Sequence, residues 1–463
     1  MHVLFLNPPH KTPIVRRYGC SYNSPGYLFP PLELCSAATA VRELNDACVC
    51  VVDAVAEKLN ANEAVERIKA FGADIVVFIT GFESLHEDLA VMDRIKKMTG
   101  TKTVCSGYLP TLFPEDVMKK SSTDFVAMGE LEYTLTELLD CMEKKKDLDG
   151  VAGLAWRSHG QAVVNRQRPR IANLDGLPAP DRRLLKNELY SMPFFGRPFT
   201  TIQTSRGCSF RCIYCTHFEG KQFARRSTDN VIRELKDIAS LGIRHVRFMD
   251  NNFTNPPEKA KELCRRIIEE RLDLSWACLT RADLVDMEMA ALMKKAGCKT
   301  VFVGIESGSE ETLKRYKKGY TLKAVRNGVR SLREAGLETI GWFIFGAPWE
   351  DDRHFNDGVR LAKDTGLDYA IASVLSYFPG TELFEQEKQH IDFSLFPFRA
   401  LPKDRQRYAK AVLWEKKFYQ EFYMNPSAAF RIAKRALMHP RDAWVSARNL
   451  TQYIYSSKKG DFF

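Results

Sequence analysis

Short apolar segments alternate with helical segments along most of the chain, in two separate series. Within residues 1–157 the apolar runs HVLFL, CVCVV, DIVVFI and DFVAM are separated by helical segments such as residues 31–44 and 63–71. Strands that alternate with helices form parallel sheets. The chain is therefore predicted to be an α/β protein whose first part contains one parallel sheet.

Gly and Pro cluster where the strands of this first series end, at residues 7–9, 80–81, 106–110 and 128–130. Open α/β sheets bind ligands at the carboxyl ends of their strands. The same residue types also form ordinary turns between strands and helices. The pattern alone leaves both interpretations open.

A second series follows a predicted hairpin at residues 151–165 and an extended segment that carries Pro and Arg at residues 166–181. Its apolar runs are FTTIQTS, HVRFMD, SWACLT, TVFVGIES, TIGWFIFG and AIASVLSY, which makes six strand–helix units. In the first helix, Val231, Leu235 and Ile238 recur at helical spacing after a start signal at Ser227. Six such units predict a parallel barrel or partial barrel with its function at the carboxyl ends of the strands.

These patterns divide the chain into residues 1–160, a linker at 161–195, the barrel at 196–392 and a C-terminal helical region at 393–463. Residues 405–423 and 427–438 are amphipathic, and residues 426–463 carry seven Lys or Arg against two Asp. Their apolar faces either pack on the barrel or contact an anionic membrane surface. The residues concerned are Trp414, Phe418, Phe422, Ile432, Ala436 and Leu437, with Arg431, Lys434 and Arg435 as the cationic face.

Composition excludes two broad classes of protein. With 463 residues, 45% of them hydrophobic and 27% charged, the chain fits neither a disordered protein nor one that spans a membrane many times. The net charge of +10 suits an anionic cofactor, nucleic acid or an anionic membrane and does not choose among them. Because the N-terminus lacks secretory-signal features and the chain has 12 cysteines, a cytoplasmic, reducing location is expected, with peripheral membrane contact as an option.

Three cysteines stand close together at Cys208, Cys212 and Cys215. Three thiolates on one short loop can hold three corners of a cubane iron–sulfur cluster and leave one iron without a protein ligand. A zinc site needs a fourth ligand, for which His217 is the one local candidate. The isolated cysteines are interpreted as small buried apolar residues; they include Cys20, Cys35, Cys105, Cys141, Cys264 and Cys298.

The CxxxCxxC loop, with Tyr214 before its last cysteine and a predicted strand before it, resembles that of the radical S-adenosylmethionine (SAM) superfamily. The resemblance implies a 4Fe–4S cluster held by these three cysteines, with SAM chelating the open iron. An electron from the cluster would cleave SAM to a 5′-deoxyadenosyl radical, and Tyr214 would lie against the adenine. In such enzymes the cofactor carries out the difficult chemistry and the protein positions it.

Later strand ends are similar to further segments of that family. MDNNF implies that Asp250 and Asn251 face the SAM amino group, although the Gly-Gly-Glu version found elsewhere is absent. TRAD implies that Arg281 meets the SAM carboxylate. The segments GIESG and FGAPWE are similar to turns that face ribose and adenine, and they imply Glu306, Ser307 and Gly346.

Over residues 1–390 the arrangement resembles the class with an N-terminal Rossmann-like, cobalamin-binding domain, from the LDGLPAPD linker through the cysteine loop to a late FPGT. That class includes methylases of unactivated carbons, ring-forming enzymes of hopanoid and bacteriochlorophyll biosynthesis, lipid-modifying enzymes and a sugar-diol dehydratase. The chain lacks the DxHxxG histidine, and His10 is interpreted as an exposed loop residue. Cobalamin, where bound, is thus expected to have no protein histidine ligand.

The implied function is hydrogen abstraction from an unactivated carbon of a small-molecule or lipid-like substrate, followed by methylation, cyclisation or elimination. An electron donor of the flavodoxin or ferredoxin type is the implied partner. The alternatives are a cobalamin-free dehydratase of a sugar or aminoglycoside, a tRNA-modifying enzyme and an iron–sulfur scaffold without catalysis. Nucleic acid is disfavoured because no arginine-rich arm or aromatic RNA-binding motif stands out.

Overall fold

The computed structural model describes residues 1–17, 20–23, 27–192, 195–216, 222–394 and 400–424, together with residues 433 and 437. The first part contains β1 (His2–Asn7), β2 (Ile14–Arg17), β3 (Cys20–Asn23), α1 (Leu32–Asn45), β4 (Cys48–Asp53), α2 (Ala61–Phe71), β5 (Ile75–Ile79), α3 (Leu85–Thr99), β6 (Lys102–Ser106), α4 (Tyr108–Leu112), α5 (Pro114–Lys120), β7 (Phe125–Ala127), α6 (Leu131–Glu143), β8 (Leu154–Ser158) and β9 (Gln161–Val164).

Seven of these strands form one sheet in the order β4-β1-β5-β6-β7-β8-β9. The first five are parallel, and the predicted hairpin is confirmed as the antiparallel pair β8 and β9. Helices cover both faces, so β5 is buried along its whole length and is apolar throughout. The strand order reverses between β1 and β5, and open sheets of this kind bind ligands beside the loops that follow the two strands at such a point.

The second part contains β10 (Phe199–Ile202), β11 (Ser205–Arg206), β12 (Ala224–Arg225), α7 (Thr228–Ser240), β13 (His245–Phe248), α8 (Pro257–Glu269), β14 (Ser275–Arg281), α9 (Met287–Lys295), β15 (Cys298–Glu306), α10 (Glu310–Arg315), α11 (Leu322–Glu334), β16 (Glu338–Phe345), α12 (Asp352–Asp364), β17 (Tyr369–Val374), α13 (Glu382–Glu387), β18 (Ile391–Asp392), β19 (Leu401–Pro402) and α14 (Arg405–Tyr423).

Six parallel strands follow one another in the order β10-β13-β14-β15-β16-β17, which confirms the predicted partial barrel of six strand–helix units. The start signal of α7 is also confirmed, because the Ser227 side chain accepts the backbone N–H of Asn230. Val231, Leu235 and Ile238 then face the core between the helices and the strands. The carboxyl ends of the six strands thereby gather at one end of the barrel.

The predicted helix at residues 405–423 is confirmed as α14, and its aromatic face packs on the barrel. Trp414, Phe418 and Phe422 are buried in the same core as Phe343 and Phe345. The alternative prediction, that these three residues contact a membrane, is therefore wrong. The hydroxyls of its tyrosines, Tyr419 and Tyr423, bond to the backbone of β17. Of the residues predicted in the next helix, Ile432, Ala436, Arg431, Lys434 and Arg435 lie outside the described part, and Leu437 is exposed.

Several features were not predicted. The hairpin of β2 and β3 and the short pair of β18 and β19 gave no clear sequence signal.

Of the isolated cysteines, Cys35, Cys105, Cys264 and Cys298 are buried as expected and Cys141 is half-buried, while the side chain of Cys20 lies outside the described part. Within the described residues, no helix is both long and apolar enough to cross a membrane.

Candidate active site

The three clustered cysteines lie on a loop that leaves the barrel after β10. β11 and β12 pair across its base, with Ser205 opposite Arg225. The backbone N–H of Ile213 donates to the carbonyl oxygen of Tyr316 at 3.1 Å. The carbonyl oxygen of Ile213 accepts the N–H of Leu383 at 3.0 Å. The cysteine loop is thus fixed between the end of α10 and the start of α13.

The loop faces a cavity of about 800 Å³ inside the mouth of the barrel. Ligand pockets commonly measure roughly 300–1,000 Å³, so this one has room for a cofactor and a substrate together. Eight residues predicted for the site line it: Cys208, Cys212, Tyr214, Cys215, Asp250, Asn251, Arg281 and Glu306. The structure therefore brings these eight side chains to one place.

Asp250 follows β13 and fixes the start of the cysteine loop. Its Oδ1 accepts the backbone N–H of Thr204 at 3.0 Å and the hydroxyls of Thr204 and Ser205 at 2.7 and 2.5 Å. Its Oδ2 is buried and has no hydrogen-bond partner among the described residues. A buried carboxylate oxygen left unpaired is costly, so this atom suits a ligand that carries an ammonium group.

Arg281 lies at the end of β14 and has a similar unpaired atom. Its Nε and Nη2 each donate to Asp283 at 3.0 Å, and Nη2 also donates to the carbonyl oxygen of Lys318 at 2.7 Å. The guanidinium carbon lies 3.8 Å from the centroid of the Phe210 ring. Nη1 is buried without a partner in the described part of the chain, which suits an anionic group of a ligand.

Glu306 ends β15 with a φ of 68°, a left-handed conformation that turns its side chain back toward the cavity. Its Oε1 accepts from Lys318 Nζ at 2.6 Å, and the same Nζ donates to the hydroxyl of Tyr214 at 3.3 Å. Burial lowers the pKa of Lys318, but the Glu306 carboxylate outweighs it and the pKa lies above its ordinary value. The ion pair therefore ties Tyr214 of the cysteine loop to the end of β15.

Two predicted residues, Ser307 and Gly346, are absent from the described lining of the cavity. The Ser307 hydroxyl instead accepts the backbone N–H of Ser309 at 3.2 Å, which closes a turn before α10. Gly346 has a φ of 99°, and a Cβ there would lie 2.6 Å from Ala411 Cβ of α14. Direct contact of these two residues with a cofactor is therefore not supported, because both serve the local backbone and packing.

A buried polar network occupies the carboxyl ends of β1 and β4. Asn7 Nδ2 donates to Asp53 Oδ1 at 2.7 Å, and Asn7 Oδ1 accepts from Arg16 at 2.8 Å. Arg16 in turn forms a bidentate pair with Asp88 of α3 at 3.0 and 2.7 Å. Burial raises the pKa of Asp53 despite its hydrogen bonds. The network fixes the loops that border the crevice of the first sheet.

His10 follows β1 and is not the exposed residue that was predicted. Its side chain is 10% exposed, because Nε2 lies 2.7 Å from Glu87 Oε2 of α3. Nδ1 lies 2.9 Å from the carbonyl oxygen of Thr12. Both ring nitrogens therefore have partners within the protein, which supports the interpretation that His10 is not a ligand.

Arg206, two residues before the first clustered cysteine, joins the barrel to the first sheet. Its Nη1 donates to Glu130 Oε1 at 2.9 Å and its Nη2 to Glu132 Oε1 at 2.6 Å. Glu132 also accepts the hydroxyl of Ser36 at 2.8 Å. Glu130 lies in the loop after β7, so the cysteine loop and the carboxyl edge of the first sheet are directly bonded.

Comparison with known proteins agrees with this architecture. Two family models match the chain, the radical SAM superfamily at residues 202–362 and the B12 binding domain at residues 22–139. An uncharacterized methyltransferase of Pyrococcus horikoshii is 34% identical over 391 residues, which cover 83% of this chain and 83% of that protein. The chain belongs to the radical SAM superfamily.

Other relatives in the superfamily are less similar. The cytidylyl-2-hydroxyethylphosphonate methyltransferase of Streptomyces wedmorensis is 27% identical over 372 residues, 71% of this chain and 69% of that protein. The structure of the radical SAM methyltransferase TsrM from Kitasatospora setae, with cobalamin and a 4Fe–4S cluster bound, matches with a TM-score of 0.69 at 21% identity over 84% of this chain and 75% of that one. The cobalamin-dependent radical enzyme OxsB matches with a TM-score of 0.66 at 20% identity, over 86% of this chain and 56% of that one. The predicted fold class is confirmed: a B12 binding domain, a radical SAM barrel and a C-terminal helical region.

Three cysteines that hold an iron–sulfur cluster need a different geometry from three cysteines that bind one zinc ion. Each thiolate of a cubane binds a different iron, so the sulfurs need not converge on one point. Among the described residues, no three His, Cys, Asp or Glu side chains converge in a way that could hold a single metal ion. His217, the candidate fourth ligand for zinc, lies outside the described part. The residues present fit a cluster better than a zinc ion.

The sequence missed two side chains that the radical SAM barrel places in the cavity. Lys318 ends the basic run KRYKK, and nothing in that run distinguishes it from the other basic residues or predicts its ion pair with Glu306. Arg247 lines the cavity from β13. The signal available for Arg247 was a charged residue between two apolar residues of a predicted strand, Val246 and Phe248.

Proposed function

We propose that this chain is a radical SAM enzyme that cleaves SAM reductively at a 4Fe–4S cluster held by Cys208, Cys212 and Cys215. One observation carries the proposal: the cysteine loop shares its cavity with a carboxylate oxygen of Asp250 and a guanidinium nitrogen of Arg281, and neither atom has a hydrogen-bond partner among the described residues. The amino and carboxylate groups of an amino acid would satisfy both atoms. The substrate is a small molecule from which hydrogen is removed at an unactivated carbon.

The side chains at this end of the cavity divide the binding of SAM among them. Asp250, with Asn251 beside it, receives the amino group, and Arg281 receives the carboxylate. Tyr214 and Glu306 border the space for the adenosine part, where Lys318 holds both in place. When bound, the cluster and SAM supply an electron and a 5′-deoxyadenosyl radical. The protein holds the reacting carbon near that radical and excludes water with an apolar lining.

For the reaction that follows hydrogen abstraction, we propose methyl transfer with cobalamin bound to the first domain and no protein histidine on its cobalt. The B12 binding model at residues 22–139 and the methyltransferases among the relatives support this choice. Both ring nitrogens of His10 already have partners within the protein, which supports a cobalt without a histidine ligand. Ring formation is the second candidate, because a relative from Synechocystis is named as an anaerobic magnesium-protoporphyrin IX monomethyl ester cyclase at 27% identity over 379 residues, 78% of this chain and 72% of that protein.

The reductant we propose is a flavodoxin or ferredoxin. Peripheral membrane contact stays a proposal for the C-terminal segment beyond α14 alone, where Leu437 is exposed. Vesicle flotation with anionic and neutral lipids tests it. Flotation that persists after removal of residues 425–463 contradicts it.

The deciding experiment is anaerobic reconstitution with iron and sulfide, followed by incubation with SAM and dithionite. A broad absorption near 400 nm and release of 5′-deoxyadenosine are expected. If the enzyme transfers a methyl group, the same incubation should also form S-adenosylhomocysteine. This is expected for protein that was purified after growth with hydroxocobalamin. A reconstituted protein that forms no 5′-deoxyadenosine contradicts the proposed function, and product formation without cobalamin contradicts the methyl-transfer part alone.

A further inference from the structure

Asn252 lies in the loop after β13, two residues beyond Asp250, and it belongs to the lining of the cavity. Its side-chain oxygen is held by three donors. Oδ1 accepts the hydroxyls of Thr254 and Thr280 at 3.1 and 3.3 Å and the backbone N–H of Arg281 at 3.4 Å. Because a backbone N–H can only donate, it fixes which end of the amide is the oxygen. The amide nitrogen therefore lies on the side away from these donors.

The amide nitrogen of Asn252 is buried and has no hydrogen-bond partner among the described residues. The residue as a whole is 4% exposed, so bulk solvent reaches little of it. Leaving a buried donor without an acceptor costs free energy, and such a group in a native protein points to a ligand or to an ordered water. The Asn252 amide is thus available to an acceptor in the cavity.

Three residues of the cavity lining each have one buried polar atom without a partner in the described part of the chain. These atoms are Asp250 Oδ2, Asn252 Nδ2 and Arg281 Nη1, which makes one acceptor and two donors. The α-amino and α-carboxylate groups of an amino acid present one ammonium group and two carboxylate oxygens. The ammonium group matches Asp250, so the two oxygens remain for the two donors.

The two donors belong to the same place in the barrel. Arg281 ends β14, and its backbone N–H is bonded to the side chain of Asn252. The hydroxyl of Thr280, the preceding residue of β14, is bonded to the same side chain. Asn252 is therefore fixed against the residue that the proposed function assigns to the carboxylate of SAM.

We propose that Asn252 is a second donor to the carboxylate of SAM and that it helps the site to select SAM by that group. This role rests on the proposed function, because it requires SAM in the cavity. It adds a side chain that the proposed function leaves unused. An amide donor is neutral, so its contribution is expected to be smaller than that of the Arg281 guanidinium.

The test compares SAM with decarboxylated SAM, which keeps the adenosine, the sulfonium and the amino group. Asn252→Asp is the sharpest variant, because it replaces only the amide NH2 by oxygen and leaves Oδ1 to its three donors. The new carboxylate would repel the carboxylate of SAM. The affinity for SAM is expected to fall about tenfold or more, while decarboxylated SAM binds as tightly as before or more tightly.

Both affinities are measured on reconstituted full-length protein without reductant, by equilibrium dialysis and competition with radiolabelled SAM. Asn327→Asp, the same change at an exposed position of α11, is the matched control and keeps the ratio of the two affinities. Equal weakening of both ligands in Asn252→Asp shows a merely structural role and overturns the proposal. An unchanged affinity for SAM in the folded variant also overturns it.

Where Asn252→Asp does not fold or loses its cluster, Asn252→Ser is measured in the same way. This variant lacks the amide donor and is expected to lower the ratio of the two affinities about threefold. A ratio equal to that of the wild type overturns the proposal. Wild-type protein that contains its cluster and binds no SAM contradicts the proposed function itself, so the two failures are distinguished.

Discussion

Arg206 Nη2 donates a 2.6 Å hydrogen bond to Glu132 Oε1, and this ion pair bonds the cysteine loop of the barrel to the B12 binding domain. The two side chains are 17% and 5% exposed. Burial raises the pKa of Glu132, but the Arg206 charge and hydrogen bonds outweigh it and hold the pKa below its usual range. The pair therefore fixes how the two cofactor-binding parts of the chain meet.

Glu132→Gln is expected to destabilise the fold by about 3 kcal/mol, because a buried guanidinium loses one of its two carboxylates. Since the folded pKa of Glu132 is depressed, its contribution is present above the ordinary value of about 4.3 and is lost as pH falls below it. Urea unfolding of the wild type and the variant between pH 3 and 7 measures both effects. Glu143→Gln, exposed at the end of the same helix, is the control. Equal stability of Glu132→Gln and wild type at pH 7 contradicts this assignment.

Replacement of any one of Cys208, Cys212 and Cys215 by Ala is expected to abolish both the absorption near 400 nm and 5′-deoxyadenosine formation, because in the proposed site each thiolate would hold one corner of the cluster. Cys141→Ala and Cys264→Ala should retain both, since these cysteines lie outside the cavity lining among the described residues. Iron content, optical spectra and nucleoside analysis check this prediction. SAM cleavage by Cys212→Ala would refute the ligand assignment.

Arg281→Gln is expected to weaken SAM binding by about tenfold or more and to leave cluster content near that of the wild type. The physical reason is that its buried Nη1, which has no partner among the described residues, would pair with the SAM carboxylate and not with iron. Equilibrium binding of SAM to reconstituted protein gives the affinity, and iron analysis gives the cluster content. Arg265→Gln, on the exposed side of α8, is the control. A variant that loses its cluster while SAM affinity stays unchanged would reverse the assignment.

Bound cobalamin is expected to show no nitrogen hyperfine coupling from a protein histidine in the electron-spin spectrum of its cob(II) form. His10 follows β1 in the first domain, and Glu87 and Thr12 engage both of its ring nitrogens. His10→Gln should therefore leave the spectrum unchanged. A nitrogen pattern in the wild type that disappears in this variant would show that His10 moves to the cobalt.

The sequence predicted most of the fold because each strand–helix unit carries its own pattern, as α7 shows with Ser227 at its start and Val231 on its buried face. It also located the cysteine loop, whose spacing is local. The pairing of Lys318 with Glu306 and the position of Arg247 between Phe29 and Phe302 depend on how separate elements meet. Ser307 and Gly346 were placed in the site for their motifs, but local turns and packing against α14 determine their contacts.

Among the described residues, β17 is the last strand of the barrel sheet, and none of their strands pairs with its outer edge. On that edge the Tyr419 hydroxyl accepts the N–H of Ala372 and donates to its carbonyl oxygen, at 3.2 and 3.1 Å. The Tyr423 hydroxyl does the same with Ala370, at 3.2 and 3.0 Å. Unpaired strand edges recruit other chains, and a covering helix prevents this. α14 thus protects an open barrel from edge-to-edge aggregation, so loss of this helix should yield a self-associating protein whatever the state of its catalytic cavity.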